Sequence, residues 1–262
     1  MTVVHPTPSA SGSHRATAAA APSPLLELRG VTACYGRIQV LHGVDLVVPR
    51  GEVVALLGPN GAGKTTTLKV ATGQHPVGSG CVHVAGRHVN GVRPDELARI
   101  GLCTIPEGRG VFRNLTVREN LKMATYSGTP EAQVVERAVD RFPRLGERLD
   151  QVVGTMSGGE QQMLAMARGL ATDPALLIID ELSMGLAPLI VAELYEIVAG
   201  IAREGVSILV VEQFARTVLG VADRAVIMQH GHVIAAGSSA ELEAELSACY
   251  LGAKPLSSRT LR

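Results

Sequence analysis

The segment from Gly58 to Thr65 combines residue types and a spacing that suit the binding of phosphate groups. It reads Gly-Pro-Asn-Gly-Ala-Gly-Lys-Thr and matches the pattern G-x-x-x-x-G-K-[S/T] in full. Glycines let backbone N–H groups turn inward around a phosphate, and a helix that begins directly afterwards adds positive potential. The ammonium of Lys64 can reach the terminal phosphates, and the hydroxyl of Thr65 can hold Mg²⁺. The predicted phosphate-binding residues are Gly58, Pro59, Asn60, Gly61, Ala62, Gly63, Lys64, Thr65 and Thr66.

An acidic pair follows an apolar run much later in the chain. Asp180 and Glu181 come directly after residues 176–179, Leu-Leu-Ile-Ile, which predict a buried strand. The carboxyl ends of strands in an open α/β sheet are where ligands bind, so the pair is expected beside the phosphate loop (residues 58–65). Asp180 is expected to bind Mg²⁺ through water, and Glu181 to polarise the attacking water. The alternative is that both are charges at the start of a helix.

Residues 156–162, called the signature segment below, have the pattern of a helix start. Ser157 is the expected N-cap, and Glu160 stands three residues later, as in a capping box. Capping does not require Gly158 and Gly159, because adjacent glycines at a helix start cost conformational entropy. The two glycines are explained if the backbone approaches an anion at this point.

The elements that must position these groups alternate between β-rich runs and amphipathic stretches. Strands are predicted at residues 25–31, 43–48, 53–57, 80–84, 88–92, 102–105, 175–179, 207–211, 225–228 and 232–235. Helices are predicted at residues 64–72, 96–100, 116–123, 130–142, 189–203 and 214–221. The pattern predicts an α/β fold: a mostly parallel core sheet with helices on both faces, an antiparallel β subdomain and a helical insert at about 115–172.

Composition limits the classes of function. The chain has 24 Lys+Arg and 24 Asp+Glu and thus no net charge, which argues against a nucleic-acid partner. Its apolar runs are far shorter than the roughly 20 residues of a membrane-spanning helix. The four cysteines show no metal-ligand spacing and no dense disulfide pattern, which favours a protein of a reducing compartment. Their side chains are expected to be buried in the protein core. The cysteines are Cys34, Cys81, Cys103 and Cys249.

The chain is predicted to contain one domain between two tails. Residues 1–24 are rich in Ala, Ser and Pro and lack an apolar periodicity, so they predict a disordered tail. They also lack the basic start and continuous apolar region of a secretory signal, which favours a cytoplasmic protein. The domain is expected at residues 25–246 and a C-terminal tail at 247–262.

The phosphate loop, the signature segment and the acidic pair occur in the order found in ATP-binding-cassette (ABC) ATPases, which this chain resembles over about residues 25–240. The resemblance implies a P-loop NTPase fold, ATP and Mg²⁺ as cofactors, and ATP hydrolysis. It further implies that two cassettes dimerise head to tail. Each ATP would then lie between the phosphate loop of one subunit and Ser157, Gly158 and Gly159 of the other.

The resemblance also assigns roles to single residues. Tyr35 is similar to the aromatic residue that stacks on adenine, although packing alone would also explain a tyrosine near a strand end. The interface loop, residues 183–187, resembles the loop that crosses the dimer interface. Glu107 and Gln213 stand where most members have glutamine and histidine. The family histidine contacts the γ-phosphate; a glutamine such as Gln213 could keep that hydrogen bond but could not carry a charge. The catalytic residues implied are Lys64, Glu181 and Gln213.

Two segments narrow the resemblance to a subgroup. Residues 106–121 and 211–213 resemble the F-type ATP-binding subunit of branched-chain amino acid importers, and the ATPase of urea importers shares the pattern. Leu182 departs from the proline that is usual there. This subgroup implies an ATPase that lies peripherally on the cytoplasmic face of the membrane.

The partners implied are a distinct second cassette ATPase, two transmembrane permease subunits and an extracytoplasmic substrate-binding protein. The permeases would dock beside residues 107–112 and the helical insert. Two alternatives remain open: the ATPase of a urea or amide importer, and a regulatory subunit that binds ATP but hydrolyses it weakly. The second alternative is motivated by Glu107 and Gln213.

Overall fold

Two β-sheets and the helices around them form the part of the chain that the computed structural model describes, residues 23–108, 110–213 and 218–243. The strands are β1 (Leu26–Tyr35), β2 (Ile38–Val48), β3 (Val53–Leu57), β4 (Ser79–Val84), β5 (Arg87–His88), β6 (Leu102–Ile105), β7 (Leu176–Asp180), β8 (Ser207–Glu212), β9 (Arg224–Gln229) and β10 (His232–Ser238). The α-helices are α1 (Lys64–Ala71), α2 (Pro94–Arg99), α3 (Val117–Lys122), α4 (Glu131–Arg141), α5 (Pro143–Gly146), α6 (Gly158–Leu170) and α7 (Pro188–Arg203). Short 3₁₀ turns cover Met123–Ser127 and Val153–Thr155.

The core sheet has the strand order β10-β9-β3-β8-β7-β6, and every pair from β9 to β6 is parallel. Only β10 runs antiparallel to its neighbour. Leu57 of β3 lies opposite Glu212 of β8, and Asp180 of β7 lies opposite Val211. The carboxyl ends of β3, β8 and β7 therefore meet at one edge of the sheet. This arrangement confirms the predicted α/β class.

Side chains of the central strands alternate between two hydrophobic cores. In β3, Val53 and Ala55 pack with the helices α3 to α7, whereas Val54 and Leu56 pack towards α1 and the antiparallel sheet. A strand that is buried on both faces has a continuous apolar sequence, which explains the apolar runs of β3, β7 and β8. The helices α3 to α6 lie between β6 and β7 in the chain, where the helical insert is predicted.

The antiparallel sheet has the order β2-β1-β4-β5. Its last strand, β5, contains only Arg87 and His88, so the strand predicted at 88–92 is shorter than expected. The side chain of Asn90 explains the early end, because its amide oxygen accepts from the N–H of Val82 at 2.8 Å and its amide nitrogen donates to the C=O of Gly80 at 3.0 Å. After β5, the N–H of Val89 still donates to the C=O of Val82 at 2.9 Å, and at the next residue the Asn90 side chain takes the place of backbone pairing.

Some predictions fail and others lie outside the described residues. Cys34 is exposed, and Cys81 and Cys103 are partly exposed, so the expectation that they are buried is wrong for Cys34. Cys34 is at the exposed end of β1, whereas Leu26, Leu28 and Ala33 earlier in the strand belong to the core between α1 and the antiparallel sheet. The tails, apart from residues 23 and 24, and the start of the helix predicted at 214–221 are not described. No described helix has the length and hydropathy needed to cross a membrane.

Candidate nucleotide-binding site

The phosphate loop connects β3 to α1 and depends on two glycines. A Cβ on Gly58 would lie 2.3 Å from the carbonyl oxygen of Met228 in β9, so only glycine fits there. Gly63 is the N-cap of α1 and has a φ of 103°, a left-handed conformation that L side chains rarely adopt. Close packing therefore requires glycine at the first position of the motif, and the backbone conformation favours it at the position before Lys64.

Lys64 lies against its own loop. Its side chain is buried, and Nζ donates hydrogen bonds to the carbonyls of Gly58 at 2.8 Å and Pro59 at 3.3 Å. These contacts hold the ammonium over the loop, where the phosphates of a nucleotide are expected. Both Thr65 and Thr66 belong to α1, but Thr65 is exposed to solvent, whereas Thr66 is buried. Of the two hydroxyls, that of Thr65 is the one available to a metal ion.

Asp180 is the last residue of β7 and stands in an excess of negative charge. It is buried, and its pKa is raised to about 6, above the usual range of an aspartate. Burial is the largest cause, followed by the negative charges of Glu181 and Glu107. The charge of Glu212 adds to the shift, and that of Lys64 opposes it. A divalent cation would offset this negative charge, although the described residues contain no group of three or more His, Cys, Asp or Glu side chains placed to hold a metal ion by themselves.

Glu181 begins the turn after β7 in an unusual backbone conformation. Its φ is 52°, in the left-handed region, and its N–H donates to the C=O of Val211 at 2.9 Å. The pKa of Glu181 is also raised, first by burial and then by the charge of Glu107. A glutamate with a raised pKa is a better proton acceptor than an ordinary one. These properties fit the predicted role of polarising water.

A pocket lies between Glu181 and α6, the signature helix. This cavity of about 270 Å³ is lined by Glu181, by Gln162 of α6, and by Arg113 and Met184. Met184 belongs to the interface loop and is itself exposed. One open space therefore adjoins the predicted catalytic carboxylate, the signature helix and the interface loop.

The start of α6 has the predicted capping box. The N–H of Ser157 donates to the Glu160 carboxylate at 2.9 Å, and the N–H of Glu160 donates to Oγ of Ser157 at 3.4 Å. A Cβ on Gly159 would lie 2.5 Å from Cγ2 of Ile190 in α7. Close packing of α6 against α7 therefore requires glycine at position 159, which the sequence alone does not indicate. A role of Ser157, Gly158 and Gly159 towards a second subunit stays a prediction.

The remaining predicted residues lie around this edge or on the antiparallel sheet. Glu107 and Gln213 are exposed and follow the carboxyl ends of β6 and β8. Tyr35 ends β1, is 44% exposed, and packs its ring on His75 with 4.4 Å between ring centroids. Its exposed surface is free for a base, but the ring also has the packing role considered above. Contacts of these residues with nucleotide stay predictions.

One charged residue at the same edge is not among the predicted site residues. Glu212, the last residue of β8, is only 2% exposed and raises the pKa of Asp180. The available signal was a carboxylate directly after the apolar run 207–211, the same pattern that singled out Asp180.

We predict that Asp180→Asn stabilises the nucleotide-free protein. The folded-state pKa of about 6 exceeds the usual value, so at higher pH the folded state carries the cost of an ionised buried carboxylate. That cost disappears as pH falls through about 6 and towards the unfolded-state value. The variant should gain roughly 1 to 3 kcal/mol at pH 7.5 and less at pH 5.

Thermal unfolding at the two pH values measures this effect. Asp150→Asn is the matched control, because Asp150 has a side chain that is 93% exposed. A melting temperature of Asp180→Asn at or below that of the wild type at pH 7.5 would contradict the prediction. Mg²⁺-dependent nucleotide binding should weaken in the same variant, which separates the stability gain from a loss of ligand binding.

Comparisons with known proteins agree with this geometry. The family model described as ABC transporter matches residues 41–183. The chain is 42% identical over 220 residues to the high-affinity branched-chain amino acid transport ATP-binding protein BraG of Pseudomonas aeruginosa, covering 83% of this chain and 94% of BraG. It is 34% identical to the probable branched-chain amino acid transport ATP-binding protein LivF of Archaeoglobus fulgidus, covering 81% and 91%. A solved ATP-binding cassette of an ABC transporter in its ADP conformation has a TM-score of 0.77 at 25% identity, covering 87% of this chain and 99% of that one.

Proposed function

This chain belongs to the ABC transporter family, and from that premise we propose that it drives the import of branched-chain amino acids. As an ABC ATPase cassette it binds ATP, hydrolyses it to ADP and phosphate, and works with transmembrane permeases. The observation that carries the choice of substrate is the 42% identity to BraG over 83% of the chain. We place the protein peripherally, on the cytoplasmic face of the membrane.

The residues at the sheet edge suit MgATP. The hydroxyl of Thr65 and, through water, the carboxylate of Asp180 would hold Mg²⁺, since both are the oxygen ligands that this ion prefers. The raised pKa of Asp180 supports this assignment because a cation would offset the surrounding negative charge. When bound, Mg²⁺ neutralises charge on the phosphate oxygens.

The protein's own side chains would divide the remaining work. Lys64 would bind the terminal phosphates, and Glu181 would orient the attacking water and take its proton. Gln213 would donate a hydrogen bond to the γ-phosphate. Glu107 would lie close to the same phosphate, and Tyr35 would stack on the adenine.

The interface loop and the start of α7 support assembly with a second cassette. Leu189 is 80% exposed and Met184 is 54% exposed, and Met184 lines the same pocket as Glu181. We propose that a second, distinct ATPase covers them and places its own signature segment over the ATP. The distinct partner would supply the histidine and glutamine that Gln213 and Glu107 replace here.

A groove beside α6 supports docking of a permease segment. The cavity, about 210 Å³, is lined by Phe112, Met123, Tyr126 and Arg168, and the first three are exposed apolar residues. Arg168 lies 5.5 Å from the centroid of the Phe112 ring, and its Nη1 is buried with no hydrogen-bond partner among the described residues. A permease segment with an apolar face and an acceptor for this guanidinium would fit the groove.

Transport by the assembled complex tests the substrate. The chain would be reconstituted in proteoliposomes with a second ATPase, two permeases and a binding protein, which would be sought among its neighbouring genes. We expect ATP-dependent accumulation of leucine, isoleucine and valine, and none with Lys64→Ala in this chain. Uptake of urea instead would favour the alternative, because the urea importer ATPase has similar motifs.

A further inference from the structure

The carboxylate of Glu212 is buried at the site edge and has three hydrogen-bond donors. It accepts from the N–H of Ser183 at 2.9 Å, from the hydroxyl of Ser183 at 2.8 Å and from the hydroxyl of Tyr195 at 2.8 Å. Ser183 is the first residue of the interface loop, and Tyr195 lies in α7. Glu212 therefore joins the end of β8 to the loop and to the helix that follows it.

These contacts hold the turn that contains Glu181. The N–H of Glu181 donates to the C=O of Val211, and two residues later Ser183 is bound by the neighbouring Glu212. The turn is thus attached to the end of β8 at two successive points. The left-handed φ of Glu181 costs about 1 kcal/mol or more, and such conformations persist where the surroundings fix them.

Stability alone gives a poor explanation for a glutamate at this position. In the described residues no lysine or arginine forms an ion pair with Glu212. A buried carboxylate without a cation is costly even when hydrogen bonds satisfy it, and an apolar residue of similar size packs at lower cost. Its charge also disfavours the ionised forms of Asp180 and Glu181.

We propose that Glu212 is a positioning residue that fixes the catalytic turn through Ser183 and so aligns the carboxylate of Glu181 with the attacking water. The inference rests on the hydrolytic role of Glu181 proposed above. It assigns to Glu212 no contact with nucleotide. Glu212 also connects the interface loop to Gln213, the next residue in the chain. Displacement of the loop would therefore shift both Glu181 and Gln213 at the phosphate site.

The three donors allow a matched set of variants. Ser183→Ala removes a contact between Glu212 and the catalytic turn, and Glu212→Gln weakens both contacts to it. Tyr195→Phe removes a contact of the same carboxylate with α7 and leaves the turn attached. We expect Ser183→Ala and Glu212→Gln to lower kcat of the assembled transporter about tenfold, because misplacement of a catalytic group slows chemistry. The KM for ATP should change less than about twofold in both.

Tyr195→Phe distinguishes positioning from a general loss of stability. This variant should lower the melting temperature and leave kcat within about twofold of the wild type. The double variant Ser183→Ala with Glu212→Gln should be no slower than the slower single variant, because both changes interrupt one connection. If kcat instead followed the melting temperature across all three single variants, or if Glu212→Gln kept wild-type kcat, the proposal would be overturned.

A further variant separates this inference from the proposed chemistry. Glu212→Gln introduced into Glu181→Gln should cause no additional loss of turnover, since Glu212 acts through Glu181. Wild-type turnover of Glu181→Gln alone would refute the hydrolytic role of Glu181. Loss in Glu181→Gln together with normal turnover in Glu212→Gln would refute only the positioning role.

Discussion

Lys64→Ala is expected to lower the affinity for ATP about a hundredfold. Charge-assisted hydrogen bonds to phosphate are stronger than neutral ones, and loss of roughly 3 kcal/mol corresponds to that factor. Lys64 is also the cation that opposes the upward pKa shifts of Asp180 and Glu181. Its removal leaves a site with several carboxylates and less positive charge to receive a triphosphate. The loss should therefore exceed that of a single neutral hydrogen bond.

Titration calorimetry with a non-hydrolysable ATP analogue measures this loss directly. Lys69→Ala is the control, because Lys69 lies on the same helix and is exposed in its last turn. The control should bind the analogue as the wild type does. Undiminished binding by Lys64→Ala would show that the phosphates lie elsewhere. Thermal unfolding checks that α1 is intact, since Gly58 and Pro59 lose a hydrogen-bond donor in the variant.

The sequence predicts the local parts of this site because their signals lie in consecutive residues. The phosphate loop stands between β3 and α1, as its glycines and the flanking apolar pattern predict. Continuous apolar runs predict the buried parallel strands, and so the shared edge of Asp180 and the loop. The capping box predicted at Ser157 is confirmed by its hydrogen bonds, and Thr116 caps α3 in the same way. The loop, each apolar run and each capping box involve residues within a few positions of one another, and the shared edge follows from the general rule that parallel strands end on the same side of a sheet.

The features that the sequence leaves unpredicted depend on contacts between distant segments. The role of Glu212 becomes visible only when β8 lies beside β7 and brings its carboxylate to Ser183, 29 residues away in the chain. The need for glycine at position 159 depends on Ile190 in another helix. Likewise, Asn90 ends β5 through bonds to β4. The pattern of residue types along the chain does not say which other segments these residues contact.

Glu181→Gln is expected to lower kcat for ATP hydrolysis by about a hundredfold or more while ATP binding persists. The amide keeps the shape of the side chain but cannot accept a proton, and general base catalysis contributes about 10² to 10⁴ to rate. ATP affinity should be equal or higher, because the substitution removes one negative charge from a site that binds a polyanion. This combination of results differs from that of Lys64→Ala, in which binding itself fails.

Steady-state phosphate release by the assembled transporter, together with nucleotide titration, measures both quantities. Glu196→Gln is the control, because it makes the same chemical change at an exposed position of α7, away from the site. Equal turnover in wild type and Glu181→Gln would exclude Glu181 as the base. The pH profile of the wild type adds a second criterion: burial and Glu107 raise the pKa of Glu181, so kcat/KM should fall on acidification at a pH above the usual glutamate range. Asp180, whose pKa is about 6, titrates in a similar range, so the wild-type profile is compared with that of Glu181→Gln. The part of the acidic fall in kcat/KM that disappears in this variant belongs to Glu181, whereas the part that persists belongs to Asp180.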